Sequence, residues 1–363
     1  MTVEGTTLEH SFEQRPDDTA YDMALAGVRR SQRRRLVRRT LVSIALALVT
    51  LGTIAFALTV GDFATPIRDV LAVAGGGGDR FTRLAIIEFR IPPILLAVLA
   101  GAAFGLAGGL FQSSLRNPLA SPDVIGITHG ASVAAVAGSV LWSLEGLSLS
   151  AAALVGALGI AALNLALAWR GGVTGYRFVL CGVALAFMCS SVLGYLISRA
   201  RIEDAQSALV WMTGSVSGAS DEGNLRLAIA LAVLAPLALL LARSLDILEL
   251  GDEVAVGLGT RAGRTRVAAI VIGSLLAAVA TAAAGPIAFV ALTAGPIARR
   301  LVGDGRPALI QAALVGVLVV VLSDVVAQHA FDDLKLPVGV VTGAVGGPYL
   351  IWLLATSQPS RRT

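Results

Sequence analysis

The sequence predicts an all-α polytopic membrane protein of about ten transmembrane helices with both termini in the cytoplasm, and three observations carry that reading. The first is composition: of 363 residues, 56% are hydrophobic and only 14% charged, with a mean hydropathy of +0.80. A water-soluble domain carries roughly a quarter charged residues to wet its surface, so this much apolar side chain needs lipid as its solvent. The second is grouping. Apolar runs fall at 41–60, 92–113, 124–142, 149–169, 178–197, 225–242, 267–284, 286–302, 308–327 and 338–355, each near the roughly 20 residues a helix needs to cross a bilayer. The third is charge asymmetry. Alternating the runs from a cytoplasmic N-terminus puts about 20 of the 28 Lys and Arg residues on the inner side, as the positive-inside rule requires. The loops left outside carry Glu145, Glu203, Asp204, Asp221, Glu222, Asp332 and Asp333.

Taken in order, residues 1–40 read as a flexible basic cytoplasmic tail ending in Arg29, Arg30, Arg33, Arg34, Arg35, Arg38 and Arg39. Residues 41–357 form the transmembrane domain, and 358–363 a short cytoplasmic C-terminal tail. The run at 41–60 lacks a convincing small-residue cleavage site and reads as a retained first helix. Gly75–Gly78 form a flexible linker outside. In the second run Gly101, Gly105 and Gly109 recur every fourth residue, the spacing that lets two helix backbones approach closely. Pro118 and Pro122 cannot continue a helix, so the chain turns at the inner face. His129, at the third run, reads as a hydrogen-bonded packing group. Cys181 and Cys189 share one run. Eight helical residues separate them by about 12 Å, too far for a disulfide, so both read as small hydrophobes.

Between the sixth and seventh runs, Asp252 and Glu253 favour a helix N-terminus, Val254 and Leu258 share a face, and Gly259 suits a C-terminal stop. Asp324 is the clearest ionisable group inside a run, with Gln112 and Asn164 the next polar candidates. Such groups are costly in lipid, so Asp324 is either a packing group or a proton-coupling carboxylate.

Several chemistries are excluded. The single lysine, Lys335, is not in a Gly-Lys-Ser/Thr sequence, so no P-loop is present and the chain has no ATPase site of its own. His-Glu-x-x-His and Gly-x-Ser-x-Gly are absent. His10, His129 and His329 are too scattered for a metal site. No catalytic and no metal-ligating residue is assigned, and the basic residues read as topology signals, so no nucleic acid is expected as a partner.

Four segments carry a resemblance. Arg90-Ile91-Pro92-Pro93 opens the second run, which continues through a Gly-rich stretch to the hairpin Arg116-Asn117-Pro118-Leu119-Ala120 and on to Ser132. Leu250-Gly251-Asp252-Glu253-Val254-Ala255 continues to Leu258-Gly259. Ala284-Gly285-Pro286-Ile287-Ala288-Phe289-Val290 comes next, and Leu336-Pro337-Val338-Gly339-Val340-Val341-Thr342 with Gly346, Gly347 and Pro348 closes the series. In this order, and over roughly residues 40–355, they resemble the permease subunits of iron-siderophore and cobalamin ABC importers.

The resemblance implies a permease of the bacterial cytoplasmic membrane that moves ferric siderophore. It also implies a second permease chain, the same or a sister, two ATP-binding subunits that hold ATP and Mg, a substrate-binding lipoprotein or periplasmic protein outside, and membrane lipid around. This chain itself would bind no cofactor. Leu250, Gly251, Asp252, Glu253, Ala255, Leu258 and Gly259 would couple to the ATPase, Arg116, Asn117 and Pro118 would form the cytoplasmic hairpin, and Arg90 would dock the binding protein. Cobalamin or haem as cargo, and an ion-coupled secondary transporter, stay open as alternatives. Three departures stand out: the His that follows the proline near Pro296 in relatives is missing, and Pro93 and Gln328 replace external basic residues. Arg80, Arg83 and Lys335 are candidates to take over their role.

Overall fold

The computed structural model describes residues 18–60, 65–330 and 335–356; residues 1–17 of the expected N-terminal tail, the C-terminal tail, Asp332 and Asp333 lie outside them. In chain order the helices are α1 (Asp18–Thr59), α2 (Ile67–Ala74), α3 (Arg80–Leu84), a π-helical turn (Ala85–Arg90) that runs into α4 (Ile91–Leu115), α5 (Ile127–Trp142), α6 (Gly146–Ala168), α7 (Gly175–Arg199), α8 (Ile202–Thr213), α9 (Asp221–Leu240), α10 (Ala242–Leu248), α11 (Asp252–Gly257), α12 (Ala262–Ala284), α13 (Val290–Val302), α14 (Leu309–His329) and α15 (Val338–Thr356). Every expected run is occupied by one of them. Eight are long and apolar enough to cross a membrane. The other two, α5 and α13, have 16 and 13 residues, about 24 and 20 Å at the helical rise.

The two short helices are each preceded by irregular backbone, 116–126 before α5 and 285–289 before α13. Irregular chain is tolerated at membrane depth only where protein covers it, since lipid offers its polar groups no partner. Here it is covered: Ala120, Ser121, Ile125 and Ile287 are buried.

The helices fall into a centre and a rim. The core gathers around α4, which packs against α12, α13, α14 and α9. Of its apolar window 78% is buried, against 17% for α1, whose apolar surface faces outward. Close packing at the centre depends on glycine. A Cβ on Gly101 would lie 2.7 Å from the carbonyl oxygen of Gly316 on α14, and one on Gly105 would overlap the Ala312 backbone. The expected four-residue glycine face is therefore a helix–helix crossing in which backbones touch.

The ends of the helices sort into two sets. Arg39, Ser114, Arg116, Val173, Asp246, Asp252, Arg266, Leu301 and Asp304 meet at one end. Leu58, Arg90, Pro92, Gly214, Asn224, Ala284 and Gly339 meet at the other. That is the alternation expected from the sequence, with the arginine-rich set inside. One difference concerns the N-terminus: α1 begins at Asp18, so the arginine cluster placed in a flexible tail is helix continuous with the first span. Others are the helical turns α2, α3, α8 and α10 within segments expected as loops, which are too short or too polar to register as spans.

Candidate functional site

The cytoplasmic end carries the densest set of sequence-predicted residues. Gly251, with φ of 109°, lets the chain turn sharply into α11. Asp252 and Glu253 then occupy the first turn, where the helix dipole favours carboxylates. α11 is one and a half turns long, and Gly259, with φ of 80°, follows its end. Ala255 is fully buried against the protein, whereas Leu250, Val254, Val256 and Leu258 are 49–63% exposed. The result is a short helix anchored through Ala255, with exposed apolar side chains on it and at both of its ends.

Asp252 is the anchor. It accepts from Arg116 Nη2 at 2.7 Å and from Arg266 Nη2 at 3.0 and 3.1 Å. Partial burial pushes its carboxyl up, but the Arg266 hydrogen bonds and the two guanidinium charges outweigh that and hold it below the ordinary aspartate value.

The expected hairpin meets α11 at this point. Arg116 caps α4 in a left-handed conformation with φ of 49°. The Asn117 amide donates to Gln112 O, and the Asn117 side chain accepts from Leu119 N, an Asx turn that Pro118 completes. Around this junction Arg306 pairs with Asp246 at 3.8 Å, and Arg39 binds Asp304. Burial raises the carboxyls of Asp246 and Glu249. In Asp304 burial is outweighed by the Arg39 hydrogen bond, and the carboxyl is lowered.

Gln112 has a structural role that the sequence hinted at only as buried polarity. Pro296 has no N–H to give to the Leu292 carbonyl one turn back in α13. Gln112 Nε2 supplies the missing donor at 3.0 Å and also reaches Ala291 O at 3.3 Å. Its oxygen accepts from Arg299 at 3.3 Å. The crossing of α4 and α13 is thus sealed by one amide. Asn164 is buried on α6 with neither amide atom hydrogen-bonded among the described residues. His129 is not the bonded packing group expected from sequence: it sits in the first turn of α5, and its Nδ1 finds no partner among the described residues.

At the outer end the structure brings together Arg90, Asp324 and Gln328, which the sequence singled out separately. Arg90 ends the π-helical turn, is half-buried, and donates to Leu58 O on α1. Asp324 is buried on α14 and accepts from Gln328 Nε2 at 2.8 Å. All three line a cavity of 360 Å³ with His329 and Lys335. Gln328 is therefore held by Asp324. No cluster of three or more metal-ligating side chains occurs among the described residues.

A bundle of ten apolar helices, eight of them long enough to cross a membrane, with a short anchored helix at the arginine-rich end, defines a multi-pass membrane protein. Comparison with known proteins narrows this. Residues 47–356 match the FecCD transport family. The chain is 37% identical over 328 residues to the ferric enterobactin transport system permease protein FepG of Escherichia coli (90% of this chain, 99% of that one). It is 36% identical to the Fe(3+) dicitrate transport system permease protein FecD of the same organism (86% and 97%), and 34% identical to the iron(3+)-hydroxamate import system permease protein FhuG of Bacillus subtilis (87% and 97%). Its fold is that of a solved inward-facing metal-chelate type ABC transporter, with a TM-score of 0.76 at 24% identity over 88% of this chain and all of the other. The chain belongs to the FecCD transport family and is a multi-pass permease of the bacterial inner membrane.

Sequence reasoning missed Arg266. It is 7% exposed at the base of α12 and is the buried member of the Asp252 cluster. Charge asymmetry alone marks it only as one of the inner-side arginines. The signal was available in its spacing: Arg266 shares a helical face with Ala269, Ile270 and Gly273, all buried.

Proposed function

We propose that this chain is the permease subunit of an ATP-driven importer that carries ferric siderophore across the cytoplasmic membrane. In this reading ATP and Mg are held by two separate ATP-binding subunits, and cargo arrives on an extracytoplasmic binding protein. A second permease chain completes the pathway. The observation that carries the reading is α11. On α11 and at its two ends, Leu250, Val254, Val256 and Leu258 are exposed apolar side chains on the side where the arginine-rich helix ends gather. An apolar patch in that position is explained by a protein partner, and its fixed mounting through Asp252 suits it to receive force. The hairpin at Arg116, Asn117 and Pro118 flanks the same surface. Ferric siderophore is favoured over cobalamin or haem because the relatives named above carry ferric enterobactin, ferric dicitrate or ferric hydroxamate. Arg90, together with Arg80, Arg83 and Lys335, belongs to the end where the binding protein would dock.

The test is affinity purification of the assembled importer with Val254→Glu and Leu258→Glu together. Two charges placed in the centre of an apolar docking surface are expected to lower the ATP-binding subunit recovered with the permease by about thirtyfold, the size of a strong interface residue. Recovery equal to that of the unsubstituted chain removes α11 from the interface.

A further inference from the structure

Arg266 is unusual among the inner-side arginines because it is almost fully buried and every part of its guanidinium is used. Nε donates to Ser114 O at 3.1 Å, Nη1 to Val173 O at 3.1 Å, and Nη2 to both oxygens of Asp252 at 3.0 and 3.1 Å. These acceptors belong to three different parts of the chain. Ser114 O is one of the last carbonyls of α4, left without an intrahelical donor and at the negative end of the helix dipole. Val173 lies in the tight turn between α6 and α7, closed by a single antiparallel bridge between Trp169 and Val173. Asp252 opens α11. Directly above, Gly175 at the start of α7 lies against Leu115 of α4, where an added Cβ would come within 3.0 Å of the carbonyl oxygen.

We propose that Arg266 is the positioning residue that makes α11, the end of α4 and the start of α7 move as one body, so that displacement of α11 reaches the spanning helices instead of being absorbed in the linkers around it. This rests on the reading of α11 as the docking segment for the ATP-binding subunit. The geometry is specific to arginine. A planar fork can satisfy two carbonyls and a carboxylate in different directions at once, whereas a lysine ammonium is a point charge that satisfies the carboxylate but not both carbonyls. Arg116 touches the same carboxylate but is 41% exposed, and solvent screening makes such a pair weak. The two arginines on Asp252 therefore differ in kind: one is a clamp, the other a surface contact.

The experiment uses the complete importer, purified with its ATP-binding subunits and binding protein and reconstituted in liposomes. Radio-iron-loaded enterobactin, citrate and a hydroxamate are offered, and the cargo taken up by the unsubstituted importer is used throughout. ATP hydrolysis, iron taken up per ATP and recovery of the ATP-binding subunit are read together. Arg266→Gln is expected to keep recovery and hydrolysis within about twofold while uptake per ATP falls by at least about tenfold, since the transmission and not the engine is lost. Arg266→Lys, which keeps the carboxylate contact but not both carbonyls, is expected to lower uptake per ATP by about threefold. Arg116→Gln is expected to stay within about twofold. Unchanged uptake per ATP in Arg266→Gln overturns the proposal, and so does a parallel fall of yield, hydrolysis and uptake in both Arg266 variants, which is the mark of a purely structural residue. If Arg266→Gln cannot be recovered from the membrane, Arg266→Lys decides: reduced uptake per ATP supports the clamp, and unsubstituted uptake per ATP overturns it. Failure of the α11 reading is separate, because it appears as normal recovery of the ATP-binding subunit in the Val254→Glu, Leu258→Glu protein.

Discussion

Among the described residues, the two ends of the bundle differ in the charge pairs that join their elements. At the cytoplasmic end, α1, α4, α10, α11, α12 and the turn before α14 are tied by side chains: Arg39 to Asp304, Arg306 to Asp246, and Arg116 and Arg266 to Asp252. At the outer end, hydrogen bonds among the described residues join distant elements through backbone carbonyls, as in Arg90 to Leu58 O, Asn224 to Pro92 O, Ser215 N to Ala284 O and Gly339 N to Gly214 O, and a 360 Å³ cavity opens between α1, α4 and α14. The difference suits an importer. Charge pairs between helix ends hold α11 in fixed register with α4 and α12. Between the two lies the glycine-packed crossing of α4 with α14, which both ends share.

That crossing is where the comparison breaks most completely. Gly105→Leu would drive a side chain into the Ala312 backbone, and overpacking at such a contact costs about 3 kcal/mol. The expected outcome is loss of monodisperse protein on gel filtration, with both ends lost together. A smaller effect is expected for Gln112→Leu, which strands the Leu292 carbonyl that Pro296 has already deprived of its helical donor. Leaving such a buried carbonyl unpaired costs about 1–3 kcal/mol, read as a lower thermal midpoint in detergent with the fold retained. Asp324→Asn sharpens the outer side. An asparagine oxygen still accepts from Gln328, so a packing group predicts uptake within about twofold of the unsubstituted importer. A proton-coupling carboxylate predicts that uptake disappears.

The smallest expected effect is on pH. Asp252 is held below the ordinary aspartate value in the fold, so its pairing is fully present above that ordinary value and is lost only as pH falls through the lowered one. Uptake per ATP should therefore be flat as the cytoplasmic-side buffer goes from about pH 8 to about pH 6, a window above the carboxylate range. A fall within it, matched by the same fall in Asp252→Asn at every pH, would point to some other titrating group at this end.

How much of this was legible follows from what hydropathy measures. It reports burial in something apolar, and so it found every run, but it does not tell helix from covered irregular chain. The runs at 124–142 and 286–302 were therefore drawn too long: residues 124–126 and 286–289 are as apolar as the helices they precede because protein wraps them. Gly285 and Phe289, both at positive φ, mark that break, and only the glycine announces it in the sequence. At the site, Asp252 was legible because a carboxylate pair after Leu-Gly marks a helix start. Arg266 was not, because inner-side arginines are expected in such a loop for topology alone, and its burial depends on α4 and the α6–α7 turn converging on it from far away in the chain. The pairing of Asp324 with Gln328 was within reach, since the two are one helical turn apart.

Whether this permease moves ferric siderophore with energy from ATP delivered through α11 is decided by uptake of radio-iron-loaded siderophores into liposomes holding the reconstituted importer. Internal ATP is supplied or withheld, and a protonophore is present or absent. The expected result is iron uptake that requires ATP, persists when the proton gradient is collapsed, and is absent when this chain is left out. Uptake that survives without ATP and vanishes with the gradient would contradict it.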